Sequence, residues 1–376
     1  MASIVLLGGL PGCRPTLAPQ FTPNADFVAL TEDASDDEDK QLWQGIQRQI
    51  LDVLAEECGS PTKLILLGDE DMDPAHLKRG GVIYTRYCVQ CHGVSGDGAG
   101  AVAEYLQPLP RDYRRGIFKF TSTPYGAKPR RHDIMRTLRN GVPGTAMPAF
   151  NRMSKEDVEA VTDYVLALTR RGELESQLVA IAEDEEMLDE DLIDEAIDTV
   201  LTNWKLTESQ LVMPESVMPT MTAETIEAGR QLFVTPTLGC VKCHGNDGRG
   251  GFFGELEITK DAWGHKTSAA DLTSGMFRGG GRPIDIYRRI HSGINGSPMP
   301  GFASTFSESP ESVWHLVHFV KDVGERRRRG QPPERFGDAP IPDESDSLEE
   351  SDDSDEADDE APADKVETQD GVLINE

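Results

Sequence analysis

The chain has 376 residues, with 37 Lys and Arg against 66 Asp and Glu and a net charge of −29. So acidic a chain repels a polyanion, which sets nucleic acid aside as a partner, and no run of 18 apolar residues is present to form an ordinary transmembrane helix. With 38% hydrophobic and 6% aromatic residues, one large core is a poor fit, whereas two small domains plus linkers suit both length and composition.

Residues 1–12 hold a short apolar run, Ser3 to Leu10, that leads into Leu10-Pro11-Gly12-Cys13. This resembles a lipoprotein signal with Cys13 as the lipidated residue, although no Lys or Arg precedes the run and Pro11 is unusual there. A start codon placed too late accounts for the missing basic residues; the alternative is an unstructured N-terminus with a free thiol. Residues 13–73 read as a linker with one helix. Pro and Thr come first, then an acidic run from Glu32 to Asp39, then Leu42, Trp43, Ile46, Ile50, Val53 and Leu54 at helical spacing, ended by Cys58-Gly59-Ser60-Pro61. Cys58 reads as an inert thiol.

The first repeated unit spans 74–172. A helix over His76 to Tyr87 leads into Cys88-Val89-Gln90-Cys91-His92. Cys-x-x-Cys-His is the attachment signature of haem c: the cysteines become thioethers to the haem vinyl groups and the histidine an axial iron ligand. A short helix over Asp133 to Asn140 precedes Gly141-Val142-Pro143-Gly144-Thr145-Ala146-Met147-Pro148. Ser154 then caps a helix with Val158, Val161, Val165 and Leu168 on its apolar side. Residues 173–222 form an acidic connector, partly helical, with Leu174, Leu178, Ile181, Leu188, Leu192, Ile197, Val200, Leu201 and Trp204 at helical spacing. Met213 and Met218 fall in an extended stretch with no Gly-rich loop before them and are not assigned to iron.

The second unit, 223–324, repeats the order. A helix over Thr225 to Phe233 precedes Cys240-Val241-Lys242-Cys243-His244. A helix over Asp285 to Ser292 precedes Gly293-Ile294-Asn295-Gly296-Ser297-Pro298-Met299-Pro300, and a last helix surrounds Val313 to Val320. The segment Asp112 to Phe118-Lys119 corresponds to Asp271 to Phe277-Arg278 with seven extra residues, which are expected in a surface loop near Gly250 to His265. Residues 325–376 begin with the basic cluster Arg326 to Arg329. From Asp338 onward they become a tail of Asp, Glu, Ser, Ala and Pro that cannot bury enough apolar surface to order itself.

Each Met lies 55 residues past its His, and the offset between copies is 152 for Cys88 to Cys240, His92 to His244 and Met147 to Met299. One haem-binding unit has therefore been duplicated. A thioether is a soft, neutral ligand that favours Fe(II), so pairing His92 with Met147 and His244 with Met299 raises the potential and fills both axial positions. Such iron exchanges electrons and leaves no site for a small substrate. The bland alternative is a buried Met in a turn, which matched positions in two copies disfavour. Two cysteines remain, Cys13 and Cys58, so no disulfide framework is implied.

Charge is unevenly spread. Residues 74–172 carry 16 Lys and Arg against 8 Asp and Glu, and the second unit is near neutral, so the acidity sits in the N-terminal run, connector and tail. A basic haem domain suits an acidic docking surface and fast transient exchange; the tail is also able to fold back on it.

At these residues the chain resembles the tandem class I cytochromes c, across roughly two thirds of its length, an extent judged by matching motifs. The segments Pro110-Arg111-Asp112-Tyr113, Phe118-Lys119-Phe120-Thr121 and Gly144-Thr145-Ala146-Met147-Pro148 further resemble cytochrome c domains of bacterial respiratory complexes. The resemblance implies an all-α chain: two cytochrome c-like helical haem domains, an acidic partly helical connector and a disordered acidic tail. It implies two covalently attached haem c groups held by Cys88, Cys91, His92 and Met147, and by Cys240, Cys243, His244 and Met299. Arg111, Lys119, Arg139 and Arg278 are candidates for haem propionates, each with simple exposure as the alternative. His315 and His318 read as surface residues.

The function expected is electron carriage rather than catalysis, between redox proteins such as a quinol-oxidising complex, a dehydrogenase or a terminal oxidase. The place is the periplasmic side of a bacterial membrane, with an anchor through lipidated Cys13, because haem is attached outside the cytoplasm. The alternatives are a dihaem peroxidase, which needs one vacant axial position, and the cytochrome subunit of a dehydrogenase.

Overall fold

The computed structural model describes residues 19–253, 259–332 and 335–336. The N-terminal apolar run, Cys13 and the acidic tail from Asp338 lie outside them. Among the described residues helix makes up 52% and strand 2%, an all-α fold.

Two helices, not one, open the described chain. α1 (Ala25–Glu32) is capped by Asn24, whose side chain accepts from Phe27 N. α2 (Asp37–Cys58) is capped by Asp36, with Asp37, Glu38 and Asp39 in its first turn, where the helix dipole favours negative charge. The acidic run is thus in large part a helix start. Ile46, Ile50, Leu54 and Cys58 form the buried stripe of α2. Ile50 and Leu54 are fully buried, each contributing roughly 1.5–3 kcal/mol. Gly59 ends the helix, and strands β1 (Gly59–Ser60) and β2 (Lys63–Leu64) pair in a minimal antiparallel hairpin.

α3 (Pro74–Tyr87) starts with Asp73 as cap and Pro74 in its first turn, and runs into the single turn of α4 (Val89–His92). α5 (Arg131–Asn140) leads to the first Met loop. α6 (Lys155–Glu185), capped by Ser154, packs across α3. Gly80 permits this crossing: a Cβ there would run into the Ala160 carbonyl and lie 2.9 Å from Tyr164 Cβ.

The composition boundary at 172/173 falls inside α6, and the structure corrects it. The helix continues because its acidic residues are anchored. Buried Glu173 accepts from Trp204 Nε1 at 2.6 Å and pairs with Lys128, while Glu175 pairs with Arg171 at 3.0 Å and accepts from Asn24 N at 2.7 Å. α7 (Glu190–Thr207) then packs back on α6 through Ala196, Val200 and Trp204. The first core therefore includes residues of the N-terminal helices, α3, α5, α6 and α7, and the expected linker and half of the connector are part of it.

Residues 208–216 pass to the second unit in irregular conformation, tied by Val212 N to Ser122 O (2.8 Å), Arg288 Nε to Val212 O (3.1 Å) and Trp314 Nε1 to Ser216 O (3.0 Å). α8 (Ala223–Val234), α9 (Cys240–His244), β3 (Thr259–Lys260), β4 (Lys266–Thr267), α10 (Pro283–Ser292) and α11 (Ser312–Arg326) follow. Gly229 does for α8 what Gly80 does for α3, since a Cβ there would meet the His315 carbonyl and lie 2.8 Å from Phe319 Cβ. The second core is smaller and aromatic, built on Phe233, Tyr287, Trp314, Phe319 and Phe336.

The two units belong to one body. They meet through corresponding helices: Asp133 and Asp285 stand at equivalent buried positions near the starts of α5 and α10, and Arg136 reaches from Asp133 (3.3 Å) to Asp285 (3.6 Å). Asn295, in the second Met loop, accepts from Gly126 N at 2.8 Å and donates to Ala127 O at 3.2 Å. His318 corrects its expected surface position. It is 2% exposed, with Nδ1 2.9 Å from Thr225 Oγ1 on α8. No helix among the described residues is long and apolar enough to cross a membrane.

Candidate haem sites

In both copies a helix delivers the chain to the Cys-x-x-Cys-His turn. Cys88 caps α4 and its N–H bonds back to Tyr84 O (2.8 Å); α9 begins on Gly239, which at φ 65 adopts a left-handed conformation that glycine takes without strain. A glycine with positive φ, Gly93 or Gly245, ends each turn directly after the histidine. Burial pushes the Cys88 thiol up to about 12 and the Cys240 thiol up to about 11. Both are held as neutral thiols close to the apolar interior.

The histidines occupy the same environment twice. His92 Nδ1 lies 3.1 Å from the Arg111 carbonyl, and His244 Nδ1 lies 3.1 Å from the Ala270 carbonyl. A carbonyl only accepts, so Nδ1 carries the proton and Nε2 is left with the lone pair. Burial lowers both histidine pKa values, favouring neutral imidazole. A neutral ring with its outer nitrogen bonded to backbone is the donor a haem iron requires. The carbonyls are fixed in turn. Asp112 accepts from Arg114 N (3.0 Å) and Asp271 from Thr273 N (2.9 Å), shaping the same turn after each acceptor, and Tyr113 N to Gly96 O (2.9 Å) matches Leu272 N to Gly248 O (2.8 Å). The repeated Asp112 and Asp271 were visible in the sequence; the carbonyl acceptors beside them were not assigned there, though the recurring segment was the signal for them.

The Met loops also superpose residue for residue. Val142 N bonds to Met147 O (3.1 Å) and Ile294 N to Met299 O (3.2 Å). Thr145 Oγ1 bonds to Val142 O (2.8 Å) and Ser297 Oγ to Ile294 O (2.9 Å). Each hydroxyl also accepts from its own Met N–H, at 3.2 and 3.4 Å. Gly141 and Gly293 turn the chain at φ 64 and 75, and a Cβ on either would strike the backbone of the residues after the Met. Met147 and Met299 are both half-buried, and Met147 packs on the first core. The residues present thus fit haem c twice: two thiols and an imidazole on one segment, and a thioether presented by a rigid loop.

The four propionate candidates separate. Arg139 and Arg278 are exposed, whereas Arg111 and Lys119 are held by Asp261, at 3.7 and 3.0 Å. Much of the basic excess of the first unit is also used internally. At least ten of its sixteen cations make ion pairs, among them Arg114 with Asp112, Lys128 with Glu173 and Arg131 with Asp163.

The copies differ behind the histidine. Tyr113 packs on the His92 ring, centroids 4.9 Å apart, and its hydroxyl lies 3.2 Å from that of Tyr84, which donates to Gly93 O at 2.9 Å. At the corresponding places stand Leu272 and Phe233, and the Phe233 ring lies 6.1 Å from His244.

These are features of a c-type cytochrome. The family described as "Cytochrome C oxidase, cbb3-type, subunit III" matches residues 75–165 and 224–320, together half of the chain, and the chain belongs to that family. Among solved structures it is similar to a chain of the Kuenenia stuttgartiensis reducing HAO-like protein complex, with 29% identity over 65% of this chain and 96% of that chain and a TM-score of 0.52. No curated protein matches it significantly. Covalently bound haem c and electron carriage follow from the family.

Proposed function

We propose that the protein is a dihaem c-type cytochrome that passes single electrons between respiratory-chain partners. The observation that supports this best is the duplication of the whole ligand apparatus, from the Nδ1-to-carbonyl bonds of His92 and His244 to the hydrogen-bonded loops of Met147 and Met299. Cys88 with Cys91 and Cys240 with Cys243 are the attachment residues. Bound haem supplies reversible one-electron exchange between Fe(III) and Fe(II).

The protein's own contribution is to hold that exchange in place. The Arg111 and Ala270 carbonyls orient the imidazoles and strengthen them as donors. Met147 and Met299, presented by their hydrogen-bonded loops, would supply a soft sulfur ligand, which would favour Fe(II). With His92 and Met147, and His244 and Met299, holding the haems, no ligand position would be left for peroxide, which favours an electron carrier over a dihaem peroxidase.

Redox proteins are the partners proposed, namely a quinol-oxidising complex, dehydrogenase or terminal oxidase. The solved structure it resembles belongs to a multi-protein complex, which supports the related reading of a subunit within an oxidoreductase assembly. The place proposed is the periplasmic side of a bacterial membrane, with Cys13 as anchor. Purified holoprotein is expected to accept two electrons per chain in a reductive titration and to turn over no hydrogen peroxide. Sustained peroxide reduction would replace this function with the peroxidase.

A further inference from the structure

Among the described residues, the insert of the second copy is not a free surface loop near its end, from Thr259 to His265. There β3 and β4 pair antiparallel, and the turn between them, from Asp261 to His265, is wedged between the two haem-binding units. Asp261 shapes the turn by accepting from Trp263 N and His265 N, both at 3.1 Å.

One side of the turn grips the second Met loop. Ala262 N donates to Gly296 O at 3.0 Å, and the Trp263 ring fills the space where a Cβ on Gly296 would be, 2.5 and 2.6 Å from two ring carbons. Gly296 lies three residues before Met299. The other side grips the segment behind the first histidine. The Trp263 indole N–H donates to Asp112 O at 3.1 Å, and the Arg111 guanidinium lies on the ring 3.6 Å from its centroid. Asp261 accepts from Lys119 at 3.0 Å and faces Arg111 at 3.7 Å, and Arg115 donates to Ala262 O. Arg111 is also the residue whose carbonyl receives the His92 Nδ1 proton.

We infer that Trp263 and Asp261 are positioning residues that join the proximal hydrogen bond of the first haem site to the methionine loop of the second, so that one turn sets both potentials. The inference rests on the dihaem reading. The physical link is short. Donation from Nδ1–H to the Arg111 carbonyl makes the imidazole a stronger ligand and favours Fe(III). Releasing residues 111–112 weakens that bond and moves the first site toward Fe(II). Releasing Gly296 loosens the loop that presents the Met299 sulfur and moves the second site toward Fe(III).

The test is spectroelectrochemistry of the full holoprotein with Trp263→Ala, Trp263→Phe and Asp261→Asn. Met147→His, which lowers the first potential, assigns the two waves. Trp263→Ala is expected to shift the first equilibrium about three- to tenfold toward Fe(II), tenfold being about 59 mV for one electron, and the second in the opposite sense. Trp263→Phe keeps an aromatic face for Arg111 and Gly296 but loses the indole N–H to Asp112 O, and is expected to restore most of the second shift and part of the first. Asp261→Asn, which loosens the turn and its hold on Arg111, is expected to act in the same sense as Trp263→Ala on the first site. Two unmoved potentials in Trp263→Ala with a lowered Tm would reduce the turn to a structural clasp and overturn the inference. Equal shifts of the second potential in Trp263→Ala and Trp263→Phe would also overturn it. Haem content of the unmutated chain keeps the two ideas apart: fewer than two haems would sink the dihaem reading, whereas two haems with insensitive potentials would sink only this one.

Discussion

The two repeated units share the hydrogen bonds of the histidine Nδ1 and of the Met loop, and the glycine at the helix crossing, but differ in much of the shell around them. The first histidine is backed by Tyr113 and Tyr84, and its helices are wrapped by α1, α2, α7 and the second half of α6. The second is backed by Phe233 and closed by a compact aromatic cluster with Phe336 at its edge. Under the proposed ligation the ligand apparatus would tolerate little change, because sulfur and nitrogen would have to meet iron at fixed positions, whereas the supporting shell would only have to be dense. Two copies with equal ligands and unequal shells are expected to differ in potential and stability more than in ligation.

Removing a ligand gives the largest effect. His92→Ala and His244→Ala are each expected to lower haem content from two to one per chain by pyridine haemochrome quantification, and equal loss from both variants supports the equivalence of the copies. Next come the helix crossings. Gly80→Val and Gly229→Val each force a side chain into a backbone carbonyl, and overpacking of this kind costs about 1–3 kcal/mol or more. A smaller fall in Tm for Gly80→Val is expected, since α3 and α6 have additional neighbours in α2 and α7 to hold the unit together. Tyr84→Phe makes the first unit resemble the second at this position and leaves the Gly93 carbonyl without its buried donor, at a cost of about 1–3 kcal/mol. Chemical denaturation of the holoprotein measures it.

The smallest effect is a pH dependence at the unit boundary. Burial alone would raise the Asp285 carboxyl, but the hydrogen bonds from Arg282 and the charges of Arg136, Arg282 and Arg289 outweigh it and hold the group below the usual carboxylate range. A depressed folded-state pKa contributes stability that is present above the unfolded value, about 3.9, and is lost as pH falls through the folded one. Asp285→Asn is therefore expected to flatten the acid limb of a Tm-against-pH curve below about pH 4 and to lower Tm at neutral pH. An acid limb unchanged by the substitution would remove Asp285 from the boundary's energetics.

The candidate ligand residues stand out in the sequence because their motifs are local. Cys-x-x-Cys-His needs five consecutive residues, and the Met loops carry their own glycines and hydroxyls. Most of the helices were also legible from their apolar spacing, although α1 was missed and α6 runs on to Glu185, past the expected boundary. What was not legible depends on partners far along the chain. Glu173 and Glu175 looked like solvated acid because Lys128, Trp204 and Arg171 do not announce themselves as their partners. The extra turn at Asp261–His265 looked like surface because its contacts are with residues about 150 positions earlier. His318 looked exposed because a lone histidine late in an amphipathic helix gives no sign of Thr225 beneath it. Gly80 and Gly229 were overlooked, although a glycine inside a helical pattern signals a close approach. Cys13 and the tail from Asp338 fall outside the described residues. Deleting 338–376 and following the salt dependence of electron exchange tests the tail's proposed role in docking; an unchanged dependence would exclude it.

The central claim is that both irons are closed by imidazole nitrogen on one side and methionine sulfur on the other. The optical spectrum of the purified holoprotein tests it most directly. Two low-spin haems per chain are expected, with a weak far-red sulfur-to-iron band in the oxidised form that falls by half in Met147→Ala and by half in Met299→Ala. A high-spin haem in the unmutated protein, or a far-red band indifferent to either methionine, would contradict it.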